Sequence, residues 1–208
     1  MNIYHSETEQ VEIIRQWFKQ YGHWVSSIIL AILLIVLGCR FWENHQLKMA
    51  SQASDRYQQL MQAVADHDDS MIQTATQDLI MHFPKTVYAQ SALLLEAKQA
   101  VNAQKWSEAL FDLQRVMEHS ASPALQEVAR LRSARILLMQ KQYTAALTLL
   151  SIVNDVSYEP SIDETKGDIY FALNDKKQAI NAYQKAIKGF AKAGFSSPIL
   201  MMKLNEMK

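Results

Sequence analysis

Hydrophobic and polar positions follow helical spacing along almost the whole chain, and one stretch has no polar face at all. Between Lys19 and Arg40 the twenty residues 20–39 include no Lys, Arg, Asp or Glu, and Val25 to Cys39 are nearly all apolar. At ~1.5 Å rise per residue, twenty helical residues match the ~30 Å hydrocarbon core of a bilayer. Only a helix can cross there as one segment, because every backbone N–H and C=O must be paired internally. Trp17, Phe18, Tyr21 and Trp24 precede the stretch and Phe41 and Trp42 follow it. Such rings favour the headgroup zone. A buried core helix is the plain alternative, but no nearby segment supplies a core around it. Val36-Leu37-Gly38-Cys39 also resembles a bacterial lipobox, in which Cys39 would be lipidated and become the mature N-terminus. Against that stands a long preceding segment with Glu7, Glu9 and Glu12 beside only Arg15 and Lys19, unlike the basic leader of an exported signal. The favoured reading is an uncleaved transmembrane helix over 20–42.

Before it, Ser6 and Glu9 have capping-box spacing, and Val11, Ile14, Trp17, Phe18 and Tyr21 recur at steps of three and four. Residues 1–19 therefore read as a short amphipathic segment, with a frayed polar tail as the alternative. Beyond it no Gly or Pro occurs between Gly38 and Pro84, so the helix is expected to continue to about Ala65. Leu47, Ala50, Ser54, Tyr57, Met61 and Val64 form a heptad-like seam. It could build a homo-oligomeric stalk through 47–64 or pack within the chain; Ala50 and Ser54 make a poor coiled-coil seam, which favours the second. Asp66-His67-Asp68-Asp69-Ser70 reads as a loop, with Ser70 the expected N-cap of a helix ending near Phe83-Pro84. A metal site at this His/Asp cluster is disfavoured, since neighbours in a loop rarely converge on one ion.

After Pro84 the pattern repeats. Ala109, Ala146 and Ala179 stand 37 and 33 positions apart. Each is followed four residues later by a bulky side chain (Leu113, Leu150, Tyr183) and three later again by Val116, Val153 or Ala186. This resembles the tetratricopeptide repeat, two antiparallel helices with a period of about 34 residues. Gly167 and Tyr170 match the family's small and aromatic positions, whereas Asp163 and Lys176 depart from it. Gly167, Ala134 and Ala97 would let the second helix of each pair approach closely. The predicted fold is all-α: a single N-terminal transmembrane helix, then a tetratricopeptide-like α-solenoid over 43–208. In its tail, Ser196 or Ser197 would begin a capping helix whose Ile199 and Met202, with Met201 beside them, seal the stack; a Met-lined binding surface is the alternative.

Composition narrows the function classes. The chain holds 21 basic and 21 acidic residues, so it has no electrostatic footprint for nucleic acid. Its one cysteine, Cys39, rules out an intramolecular disulfide or a Cys-based metal cage. The His residues are scattered, and there is no nucleophile motif, no phosphate-binding Gly-rich loop and no His pair at metal-ligand spacing. No enzyme activity, cofactor or metal is expected.

The layout as a whole resembles the YfgM-like family, the membrane-anchored, tetratricopeptide-containing ancillary subunits of the bacterial SecYEG translocon. Tyr4, Glu9-Gln10, Glu12, Trp17-Phe18 and Gly22 match its N-terminal segment, and Phe41-Trp42 with His45-Gln46 its membrane exit. Phe83-Pro84 with Tyr88-Ala89 matches a helix junction, and Met202-Lys203-Leu204-Asn205 the C-terminal helix. The resemblance implies a single-pass protein of the bacterial inner membrane, N-terminus cytoplasmic and helical domain periplasmic. Basic residues on both flanks leave orientation open. It further implies association with Sec translocon subunits and with a membrane-anchored periplasmic chaperone of prolyl-isomerase type, helping exported chains reach folding factors. Carried over from tetratricopeptide positions, the groove-facing residues are Lys98, Val101 and Asn102, then Arg135, Leu138 and Met139, then Asp168, Phe171 and Ala172. Solvated surface is the alternative for Lys98, Arg135 and Asp168. Arg130, Arg132 and Arg135 could grip acidic peptide groups, or pair with Glu127 and neighbouring helices. In the membrane, Ser27, Ala31 and Gly38 share a small-residue face suited to a partner helix. Three classes stay open here: a translocon scaffold, a Cys39-lipidated repeat protein of envelope assembly, and an enzyme.

Overall fold

A computed structural model of the chain describes residues 7–207. Every regular element among them is helical. The chain divides into two compact units, the second beginning at Ala50.

Helix α1 runs from Glu7 to Ala65, through Gly22 and Gly38. The Ser6 N-cap expected for it lies outside the described residues. From Ile28 to Leu37 each large apolar side chain of α1 is 53–65 % exposed, so no protein core covers this stretch. Long apolar surface left bare by the protein belongs in lipid. Among the described residues α1 is the one helix long and apolar enough to cross a membrane.

The second unit is a stack of helix pairs. Residues 50–65 of α1 pair with α2 (Asp69–His82), α3 (Val87–Asn102) with α4 (Trp106–His119), α5 (Pro123–Met139) with α6 (Tyr143–Leu149), and α7 (Glu159–Ala172) with α8 (Lys176–Lys192). A 3₁₀ turn at Val156–Tyr158 leads into α7, and α9 (Pro198–Asn205) closes the end. One turn joins the helices of all four pairs. His67, Gln104, Lys141 and Asn174 each have φ between 56° and 61°, the left-handed region. In each turn the following N–H reaches back five residues: Asp68 to Ala63, Lys105 to Ala100, Gln142 to Leu137 and Asp175 to Tyr170, at 2.8–3.0 Å. These bonds occupy helix-end carbonyls that would otherwise be unsatisfied. The repeat therefore begins before Pro84, with the end of α1 as its first helix.

Side-chain caps start five of the helices, whereas α4, α6 and α7 begin without one. Asp68, not Ser70, caps α2 by accepting from Met71 N; Thr86 caps α3, Ser122 caps α5 ahead of Pro123, and Asp175 caps α8. Ser197 caps α9.

Packing follows the small-then-large pattern. Ala109, Ala146 and Ala179 are fully buried, as are Leu113, Leu150 and Tyr183 or nearly so. A Cβ added at Gly167 would lie 2.5 Å from Tyr183 Cδ1 and Cε1, so the bare glycine makes room for the ring. Three expectations change. Val153 is exposed, because α6 ends at Leu149 and the chain leaves the helix before reaching it. The buried face of α9 is Leu200, Leu204 and Met207, while Ile199, Met201 and Met202 point outward. In the last part of α1 the buried residues are Ala53, Leu60 and Ala63, one position earlier than Ser54, Met61 and Val64 of the expected seam. The period was right and the phase was not: the stack takes up the apolar members Ala53 and Leu60. That segment packs inside the unit, with Arg56 paired to Asp78 at 3.1 Å and the Tyr57 and Tyr88 rings 5.6 Å apart.

Candidate functional site

The first helices of successive pairs line one side of a repeat stack, and the hollows between them are its natural binding sites. Between α3 and α5 lies a concavity of about 320 Å³. Its floor is Ala97, Val101, Leu113, Ile136 and Met139, and its cations are Lys98, Arg132 and Arg135. No acidic residue lines it. Arg132 is held by a 3.1 Å hydrogen bond from Nη1 to the Leu94 carbonyl. Lys98 and Arg135 are exposed and have no ion-pair or hydrogen-bond partner among the described residues. The fold thus brings together Lys98, Val101, Arg135 and Met139 of the nine groove candidates.

The other five lie elsewhere. Asn102 borders a second hollow of about 850 Å³, on the α2–α4 side of α3. Leu138 packs half-buried against the core shared by α5, α6 and α7. Phe171 and Ala172 are exposed at the end of α7. Asp168 is tied into the fold: it accepts from Tyr183 Oη at 2.6 Å and pairs with Lys203 Nζ at 2.6 Å, pinning α9 to α7. Burial and this bond push the Tyr183 phenol well above its usual range.

The 850 Å³ hollow escaped sequence reading. It gathers Asp69, Glu96, Glu108 and Asp112 from three helices. Burial pushes Asp112 up from 3.8 to about 6, reinforced by the charge of Glu96 and opposed by Arg115. Burial likewise raises Glu96. No local motif marks such a cluster, because its members meet only through helix pairing.

Of the three arginines on α5, Arg130 pairs with Glu127 in the core, both almost inaccessible. The same Glu127 oxygen accepts the Asn154 backbone N–H, and Asn154 Nδ2 donates to Gln126 at 2.6 Å. This anchors the irregular link after the short α6. Arg130 is therefore structural, and Arg132 and Arg135 face the hollow.

On α1, Ser27, Ala31 and Gly38 fall within about 40° of one another around the helix. Ser27 Oγ donates to the His23 carbonyl at 2.8 Å, so its hydroxyl is satisfied within the helix. Beyond its own stretch of helix, no described residue lies within 4 Å of a Cβ built on Gly38, which leaves the face open among the described residues.

Repeated pairs, a shared turn and a capping helix are the marks of a tetratricopeptide-type stack, and a model of the tetratricopeptide repeat-like domain family matches residues 15–208. The chain belongs to this family. Full-length relatives point the same way. A protein of Escherichia coli (strain K12) is 27 % identical over 207 residues, covering 100 % of this chain and 99 % of its own length. One of Haemophilus influenzae is 29 % identical over 204 residues, 97 % of each chain. One of Neisseria gonorrhoeae is 25 % identical over 203 residues, again 97 % of each. All three are named ancillary SecYEG translocon subunit. No solved structure matches the chain. Together with the apolar α1, these likenesses fit a single-pass inner-membrane protein carrying a tetratricopeptide-type domain, and a scaffold-type family.

Proposed function

We propose that this protein is a non-catalytic scaffold anchored beside the Sec translocon by α1, with its repeat stack receiving a partner polypeptide. The observation that carries the reading is end-to-end similarity to relatives named ancillary SecYEG translocon subunit, membrane helix and repeats included. The working division is an N-terminal segment over 1–19, a membrane helix over 20–42 and the repeat domain over 43–208. The N-terminus lies in the cytoplasm and the domain in the periplasm, where it links exported chains to chaperones, among them a membrane-anchored one of prolyl-isomerase type. Ser27, Ala31 and Gly38 form the face that meets translocon helices, since small side chains allow close backbone approach. Lys98, Val101, Arg135 and Met139, which the fold gathers at one hollow, mark the groove side of the domain.

Co-purification in mild detergent tests the association: translocon subunits should follow the tagged full-length chain, and their steady absence overturns it. Protease added to spheroplasts should digest the repeat domain; protection would reverse the orientation. Intact mass separates an uncleaved anchor from a mature chain starting at lipidated Cys39.

A further inference from the structure

We infer that the hollow between α3 and α5 holds an apolar side chain of a partner segment whose neighbouring residues carry side-chain carboxylates. This deepens the scaffold reading and rests on it, since it names the chemistry of the polypeptide received.

The inference comes from charge set against apolar surface. A chain with formal net charge of zero places three cations and no acid around one apolar floor. Lys98 and Arg135 stand on the two helices that wall the hollow and neutralise no acid among the described residues. Unpaired like charges at one concave site raise the local positive potential and attract an anionic partner. The floor sets the second requirement. Above the buried Ile136, Val101 and the largely exposed Met139 offer apolar surface to something larger than water, and thioether side chains adapt to varied shapes. At about 320 Å³ the space is at the small end of ligand pockets and suits one anchoring side chain. Arg132, held by the Leu94 carbonyl, offers its remaining N–H groups in a fixed direction. An extended segment presents residues i, i+2 and i+4 on one face. An apolar residue with Glu or Asp two positions away on either side therefore fits floor and rim together.

The test uses the full-length chain in detergent and a labelled peptide, acetyl-Ser-Glu-Ser-Leu-Ser-Glu-Ser-amide, read by fluorescence anisotropy. Replacing both Glu by Gln, or Leu by Ser, should weaken binding at least about tenfold. The double variant Lys98→Glu/Arg135→Glu should lose the acidic peptide and gain the version carrying Lys in place of Glu. Both positions are exposed, so the fold survives, and circular dichroism checks this. Equal binding of the Glu and Gln peptides, no binding up to about millimolar concentration, or an unaffected double variant overturns the inference. So does displacement of the peptide by short-chain phosphatidylglycerol at lower concentration than by unlabelled peptide, which would make the hollow a lipid-headgroup site. Translocon co-purification reads the anchor separately: its absence with the wild-type chain sinks the scaffold reading, whereas a wild-type chain that brings down the translocon but binds no peptide sinks only the pocket.

Discussion

Each helix pair solves one volume problem with two residues. At equivalent positions of the four pairs stand Leu60 and Thr76, Ala97 and Leu113, Ala134 and Leu150, and Gly167 and Tyr183, all buried. Where the first-helix residue shrinks, the second-helix residue grows. The three later pairs show this in the sequence through their small residues; the first hides it, since Leu60 and Ile72 replace the small positions that signal a repeat. The last pair makes the sharpest test. Gly167→Ala drives a methyl into the Tyr183 ring, and overpacking of that kind costs about 1–3 kcal/mol. In a Tyr183→Leu background, which recreates the middle pairs, the cost should fall by half or more. Chemical denaturation of the four proteins measures the coupling, and strictly additive losses would refute it. Asp112 was not legible, because its environment comes from Glu96 on another helix. Its folded-state pKa is raised from 3.8 to about 6. An acid raised in this way costs stability as it ionises, so the domain should weaken as pH climbs through that window and level off above it. Asp112→Asn should flatten that slope and stabilise the domain at pH 7 by about 1–2 kcal/mol, as read by denaturation across pH.

At the scale of elements, turns and links hold the pairs in register. Four non-glycine residues occupy the left-handed position of the shared turn. Asn174 tolerates that backbone through its short polar side chain, whereas Gln104 and Lys141 bear its steric cost. Lys141→Gly should therefore stabilise the domain by about 0.5–1 kcal/mol, despite the entropy glycine brings to the unfolded chain. A loss in melting temperature would count against it. The link after α6 depends instead on Glu127, which serves Arg130 and the Asn154 amide at once. Glu127→Ala strands a buried guanidinium and should cost about 3–5 kcal/mol, with faster hydrogen exchange at Asn154. Helix existence and type were readable from periodicity throughout. Faces were harder. Ile199 and Met202 are as apolar as Leu200 and Leu204, so composition could not say which stripe of α9 turns inward. The choice comes from Ser197, which sets where the helix starts, and from Lys203, which reaches Asp168. Likewise the 47–64 seam had the right period, and only contact with α2 and α3 fixes its phase.

For the molecule as a whole, the informative contrast is between a domain built on a packed apolar core and an anchor stretch, Ile28 to Leu37, whose large apolar side chains are all exposed. From Ile28 to Leu37 the apolar surface of α1 is uncovered, and the hydrophobic effect assigns it to lipid rather than to the repeat core. Inside lipid that effect no longer distinguishes one apolar helix from another, and close packing must hold a partner instead. Gly38 is the position where this matters most, because beyond its own stretch of helix no described residue comes within 4 Å of a Cβ built there. Gly38→Leu adds bulk on the small-residue face without changing hydropathy in a way that would prevent insertion. Ile29→Leu and Leu33→Ile alter the opposite face of the same helix and serve as controls for insertion and expression. If the Ser27, Ala31 and Gly38 face meets the translocon, Gly38→Leu should reduce co-purified translocon subunits several-fold while the controls keep them. Lys98→Glu/Arg135→Glu should leave that yield unchanged, because the anchor and the groove recognise different partners by different physics: packing within lipid for one, charge and an apolar anchor in water for the other. Equal yields from Gly38→Leu and wild type would move the membrane contact to another face of α1, and a loss in the groove variant would mean that the repeat domain itself carries the attachment.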